Sequence, residues 1–194
     1  YNLMRRGVTD IVLLEKGYLC GGASGRNGGG VRMQWGTATN IALARRSIEL
    51  MKRFARELGI NIWLRQGGYL FLAKDTALAQ RLERAAELHN RHGVNTRLLS
   101  LEGARDLVPG LSMKGVQLAA FNEEDGVIFP WAFLWGYAGA LKKKGVRIET
   151  FTRVTGFELG DGHVRKVITD RGEIACEVAV LAAGAWSPPI AALA

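Results

Sequence analysis

The segment Ile11–Arg32, IVLLEKGYLCGGASGRNGGGVR, joins a short apolar run to a glycine-rich crossing that carries two arginines, Arg26 and Arg32. Ile11, Val12, Leu13 and Leu14 are uninterrupted rather than alternating, a pattern that predicts a parallel strand covered on both faces. Glu15 follows at the carboxyl end of that strand. In a dinucleotide-binding βαβ unit an acid at this place accepts hydrogen bonds from ribose hydroxyls, about 20 residues after a glycine fingerprint. The fingerprint is therefore expected before residue 1.

The glycines from Gly21 to Gly30 contain no GxGxxG and no Lys-Ser/Thr pair, and they come after the acid-bearing strand rather than after the first strand of such a unit. They are not read as the pyrophosphate turn. Two readings stand for them: close backbone approach to a flat ligand, which residues without a Cβ allow, and a flexible surface loop. Upstream, Tyr1–Gly7 fits the last two turns of a helix closed by a glycine, with basic residues at the negative end of the dipole. The chain is thus expected to open inside a βαβ unit.

Composition narrows the function classes. The 194 residues are 48% apolar, enough for a substantial core in one large or two small domains, and the apolar stretches are far shorter than a membrane span. A formal charge of +8 raises nucleic acid as a partner, but the distribution argues against it. Arg45, Arg46, Lys52, Arg53 and Arg56 alternate with Glu49 and Glu57 along one helix, and Lys142–Lys144 close another, with no basic stripe interleaved with aromatics. Cys20 and Cys176 have no CxxC spacing and suit a reducing, cytoplasmic setting better than a disulfide scaffold. His89, His92 and His163 lack partners at metal-ligand spacing and read as surface or helix-end residues, so no metal is expected.

The rest of the chain alternates helices and strands. Thr37–Leu58 is a helix, with Ile41, Ile48, Met51, Phe54 and Leu58 at helical spacing, a cap at Thr39 or Asn40, and Gly59 as its stop. Gly68–Ala73 (GYLFLA) is a strand. Asp75–His92 is a helix capped by Asp75, with Leu78, Leu82 and Ala85 on its buried face and Gly93 beyond it. Ser100 opens a short helix before Pro109, and Gly115–Asn122 returns as a strand. Pro130 starts a helix that Gly145 ends, followed by a strand over Val146–Phe151. Val154–Leu159, Val164–Thr169 and Glu173–Ala182, separated by Asp161-Gly162 and Asp170-Arg171-Gly172, make an antiparallel meander. Its last run, VAVLAAGAWS, reads as a central strand stopped by Pro188 and Pro189, with a first helical turn after it.

The order strand-Glu15, GGASGRNGGGVR, long helix, GYLFLA, Asp125-Gly126 with the Pro130 helix, TRVTGFE and VLAAGAWS resembles the D-amino acid oxidase (DAO) superfamily of FAD-dependent oxidoreductases. It is most similar to the branch of sarcosine oxidase β-subunits, glycine oxidase and dye-linked proline dehydrogenases. The resemblance spans nearly the whole chain. It departs at the ends, where the glycine fingerprint and the C-terminal completion of the substrate site and flavin pocket are not found, so these residues alone are expected to be inactive.

The resemblance implies an α/β fold: a Rossmann-like FAD-binding domain over 1–60 and 127–194, without its first strand and GxGxxG, containing a β-meander and interrupted by an inserted α+β substrate domain over 61–126. It places Glu15 and Lys16 on the adenosine side of FAD, and Ala23, Ser24, Asn27, Gly28 and Gly29 along the crossing beside the cofactor. Val154 answers to the residue whose backbone meets the adenine edge, and Gly184 to the close approach after the last strand. For Ser24, capping of a turn is an equal reading. Arg32 stands where that branch grips a substrate carboxylate, and a guanidinium has the fork for it; satisfying backbone carbonyls is the competing use. The implied activity is oxidation of the C–N bond of a small amino acid or secondary amine by hydride transfer to flavin, with partner subunits of a heteromeric enzyme among the implied partners. No residue reads as a catalytic base. The alternatives are an FAD enzyme of a polyol phosphate or hydroxy acid, and a catalytically silent subunit that keeps the fold.

Overall fold

The computed structural model describes residues 1–194. In chain order the elements are α1 (Asn2–Arg5), β1 (Val12–Leu14), β2 (Gly30–Val31), α2 (Ala38–Leu58), β3 (Tyr69–Ala73), α3 (Thr76–Arg91), β4 (Arg97–Leu99), α4 (Leu101–Leu107), β5 (Leu118–Asn122), β6 (Gly126–Val127), α5 (Pro130–Lys143), β7 (Arg147–Glu149), β8 (Val154–Gly160), β9 (His163–Thr169), β10 (Gly172–Ala175) and α6 (Ser187–Ala191). Two 3-10 turns, Ala23–Gly25 and Gly184–Trp186, lie between them. The chain divides into two compact units, one of residues 1–26 with 134–194, the other of residues 27–133.

In the first unit β1 pairs in parallel with β7, Val12 opposite Arg147 and Leu14 opposite Glu149. The pairing runs on past the strand, since Glu15 donates its N–H to the Glu149 carbonyl (2.9 Å) and its own carbonyl accepts from Thr152 (3.0 Å). The apolar run thus forms the parallel strand its composition predicts. It is not covered on both faces within this chain, since Leu13 is 37% exposed. Helix α1 is one turn, closed by Gly7 at φ +92°.

Strands β8, β9 and β10 form the expected antiparallel meander. Asp161 and Gly162 both take positive φ (53° and 74°) between the paired Gly160 and His163, the two-residue turn whose twist matches its flanking strands. The last strand is shorter than its sequence suggests. β10 ends at Ala175, and residues 178–183 are in no strand, with Val178 76% exposed. No neighbouring backbone within the chain offers these residues a ladder, and apolar composition alone does not make one. Pro188 and Pro189 do not stop an element either. They sit in the first turn of α6, where a missing N–H costs nothing.

The second unit holds the sheet β3-β5-β4, antiparallel throughout, and the short pair β2–β6. Helix α2 is capped by Thr37, whose Oγ1 accepts from the Asn40 N–H (3.3 Å), rather than by Thr39 or Asn40 themselves, which lie inside the helix. Gly59 ends it at φ +69°. Ile41 and Ile48 of α2 pack with Met33 and Val94, and Ala104, Met113, Val116 and Ala119 form a second cluster with leucines of β3 and α4. Strand β4, on three residues with two exposed side chains, has no period to betray it in the sequence.

His89 overturns its expected surface role, being 3% exposed on the inner face of α3. Its Nε2 lies 3.0 Å from the Trp35 carbonyl and its Nδ1 3.1 Å from Thr96 Oγ1. A carbonyl only accepts, so Nε2 carries the proton, and neutral Nδ1 accepts from the Thr96 hydroxyl. Burial holds the His89 pKa below its ordinary value, against the pull of the Trp35 carbonyl and of the Asp125 charge. A depressed folded-state pKa contributes stability that is present above the unfolded value of about 6.5 and is lost as pH falls through the folded value. We expect the melting temperature to drop more between about pH 7.5 and about pH 5.5 in the wild type than in His89→Gln, which does not titrate there. Equal drops in scanning calorimetry would show that His89 is not held neutral.

Candidate functional site

In the first unit, the end of β1 gathers four of the predicted cofactor residues, Glu15, Lys16, Val154 and Gly184. Glu15 Oε1 accepts from the Gly17 N–H at 2.8 Å, which fixes the carboxylate while its second oxygen makes no hydrogen bond within the chain. Lys16 Nζ lies 4.8 Å from the centre of the Trp186 ring, so the β1 end and the turn that begins at Gly184 meet. Thr152 bonds to the Glu15 carbonyl, two residues before Val154 at the start of β8, where Val154 pairs with Thr169. Ala23 and Ser24 form the 3-10 turn after the strand. Glu15, Lys16, Val154 and the Gly184 turn are therefore neighbours, although far apart in sequence.

The second unit contains the other half of the crossing. Asn27 Oδ1 accepts from the Gly29 N–H (2.8 Å), an Asx turn that sets up Gly29 at φ +72°. A Cβ on Gly29 would run into the Ile128 carbonyl oxygen, which belongs to the chain itself; one on Gly28 would meet nothing. The two readings of the glycines are therefore divided between positions. Gly29 is needed for the turn and for packing beside residue 128, whereas Gly28 leaves bare backbone open to a ligand.

Arg32 follows β2 in a stretch, residues 32–35, without helix or strand. Its guanidinium carbon lies 4.6 Å from the centre of the Trp35 ring and 5.4 Å from that of Phe71. Its Nε is buried and has no hydrogen-bond partner. An unsatisfied donor on a charged group is costly and calls for an acceptor. Use of Arg32 to satisfy backbone carbonyls does not account for that atom. The aromatic faces stabilise the cation without occupying its donors, and they hold the fork flat. Such a group suits a carboxylate or another planar or tetrahedral oxyanion.

Beneath this stretch lies Asp125, 0% exposed. Its Oδ1 accepts from the Met33 N–H (2.7 Å) and from Asn122 Nδ2 (2.8 Å), and its Oδ2 accepts from Gln34 Nε2 (3.0 Å). Burial pushes the Asp125 pKa up, while the three N–H donors and the neighbouring His89 pull it down. Trp35, Phe71, Asp125 and His89 were not singled out by site reasoning on the sequence. His89 left a signal by sharing the helical register of Leu78, Leu82 and Ala85, and Asp125 by standing in the Asp125-Gly126 pair of the family resemblance. No group of three or more His, Cys, Asp or Glu side chains is placed to hold a metal ion, and no helix is long and apolar enough to cross a membrane.

Comparison with known proteins shows the family and the fold. The crystal structure of L-proline dehydrogenase from P. horikoshii superposes with a TM-score of 0.92 at 32% identity, over 99% of this chain and 50% of that one. Sarcosine oxidase subunit beta of Rhodobacter capsulatus is 30% identical over 183 residues, 92% of this chain and 44% of that protein. The mitochondrial pyruvate dehydrogenase phosphatase regulatory subunit of Mus musculus is 28% identical over 187 residues, 96% of this chain and 21% of that protein. The chain spans half or less of the length of these relatives. The family model described as FAD dependent oxidoreductase (DAO) matches residues 1–194. With an acid at the end of a parallel strand and a glycine crossing behind it, the chain belongs to the DAO family of FAD-dependent oxidoreductases.

Proposed function

We propose that the whole protein oxidises the C–N bond of a small amino acid or secondary amine that carries a carboxylate. The observation that carries this reading is the buried, unpartnered Nε of Arg32, on a guanidinium in contact with two aromatic rings. It agrees with relatives whose names speak of sarcosine and L-proline. Bound FAD would supply the hydride acceptor for oxidation at the carbon beside the nitrogen.

The residues present fit the cofactor. The free oxygen of Glu15 is an acceptor for ribose hydroxyls, and in this reading Lys16, Ala23, Ser24, Val154 and Gly184 frame the same side, with Val154 at the start of the edge strand β8 meeting the base edge. Asn27, Gly28 and Gly29 supply the open backbone of the crossing. Residues 1–60 with 127–194 form the cofactor domain in this reading, from which Arg32 reaches the substrate, and residues 61–126, with Phe71 among them, belong to the substrate domain. The chain's own share of the chemistry is to bind and orient the substrate carboxylate through Arg32. A substrate presented as the neutral amine requires no base from these residues. Resemblance to a subunit named beta supports assembly with partner subunits.

A second reading, a regulatory subunit without catalysis, is favoured by the resemblance to the phosphatase regulatory subunit. The full-length holoprotein separates the two. Flavin that bleaches anaerobically with sarcosine, glycine or L-proline supports the enzyme; a protein that holds no flavin supports the regulatory reading.

Two substitutions test the residue roles. Glu15→Ala should weaken FAD binding by about 1.5 to 3 kcal/mol, one to two decades in affinity, with the circular dichroism spectrum unchanged. Wild-type affinity would put the adenosine elsewhere. Arg32→Ala should lower kcat/KM for an amino acid by about 2 to 5 kcal/mol while sparing the matching amine that lacks a carboxylate, and Arg32→Lys should recover part of the loss. If the ratio of kcat/KM for the two substrates stays at its wild-type value and flavin is lost instead, Arg32 serves the cofactor.

A further inference from the structure

We propose that Asp125 and His89 are positioning residues for Arg32: from inside the second unit they fix the backbone of Met33–Trp35, and so the indole face on which the guanidinium lies. The proposal rests on the reading of Arg32 as the carboxylate-binding residue.

Residues 32–35 belong to no helix or strand, so no ladder sets their course. Two buried side chains from other elements do this instead. Asp125, from the turn between β5 and β6, takes the Met33 N–H at 2.7 Å and Gln34 Nε2 at 3.0 Å. His89, from the last turn of α3, reaches the Trp35 carbonyl at 3.0 Å. Trp35 in turn donates its indole Nε1–H to the Arg32 carbonyl (2.9 Å) and lays its ring 4.6 Å from the guanidinium carbon. The second ring is governed from the same place, because the Asp125 carbonyl accepts from Gly68 (2.9 Å), just before β3, the strand that carries Phe71. One buried turn thus holds both aromatic walls around Arg32.

The chemistry of the two groups is specific to that task. All three partners of the Asp125 carboxylate are N–H donors, so an acceptor-only group is required, and an asparagine would set its own N–H against one of them. The Trp35 carbonyl needs a donor, which His89 Nε2–H supplies and a glutamine amide could replace. Buried polar groups satisfied in this way cost desolvation and return a single rigid arrangement.

The test compares kcat/KM for L-proline and pyrrolidine, or for sarcosine and dimethylamine where sarcosine bleaches the flavin, in the full-length holoenzyme. Asp125→Asn and His89→Leu should each reduce the preference for the carboxylate substrate by about tenfold or more, through KM, because misplacing a binding group by about 1 Å has effects of that order. Flavin content and the kcat/KM of the bare amine should remain at wild-type values, and His89→Gln should retain the preference. A purely structural role would lower the melting temperature and leave the preference alone; that result, in folded flavin-loaded variants, overturns the proposal. If Asp125→Asn is not recovered folded, the contrast between His89→Leu and His89→Gln decides. Arg32→Ala is measured alongside. Should it leave the preference intact, the carboxylate reading itself fails; should it abolish the preference while the Asp125 and His89 variants keep it, the positioning role alone fails.

Discussion

A carboxylate with no contact to water organises the second unit. Asp125 is fully buried, and its charge is tolerable only because three N–H groups converge on it from the 33–34 stretch and from Asn122. Removing an ion from water costs several kcal/mol, offset here by hydrogen bonds that only one backbone course can supply. The group therefore selects a conformation more than it adds stability. The stretch between β2 and α2 and the β5–β6 turn meet at this carboxylate, and the residue before β3 bonds to the main-chain carbonyl of the same aspartate.

Legibility in the sequence followed the range of the physical signal. The acid at the end of β1, the length of α2 and the meander were readable because a short apolar run, a helical period and an Asp-Gly turn are local features. The terminal residues 178–183 were misread because their apolar character says that they are to be covered and not by which partner. His89 was misread for a related reason: a histidine near a helix end looks exposed until the carbonyl of Trp35, distant in sequence, is seen to meet it. At the site, Glu15 and Arg32 stand out as charges beside glycine and apolar residues. The rings that flank Arg32 and the acid beneath it come from other elements and carry no spacing that links them to it.

The glycine-rich crossing also shows how one composition serves two ends. Gly29 and Gly30 face the chain's own atoms, the Ile128 carbonyl and the Tyr69 hydroxyl respectively, whereas Gly22 and Gly28 have open space where a side chain would stand. Substitution at the first pair would disturb the packing of the crossing itself. At the second pair it would leave the fold unchanged and block whatever approaches from outside.

The two sheets of the first unit differ in when their partners meet. In the meander, strands are joined by two-residue connections, so pairing needs little loop closure and can begin as soon as residues 154–175 exist. Strands β1 and β7 join residues 12 and 147, and the whole second unit must be made or spanned before they pair. During synthesis from the N-terminus, the pairing of β1 with β7 therefore waits until residue 147 has been made. Glu15 reaches its place only when that pairing closes, so the acid is positioned late in the maturation of the polypeptide.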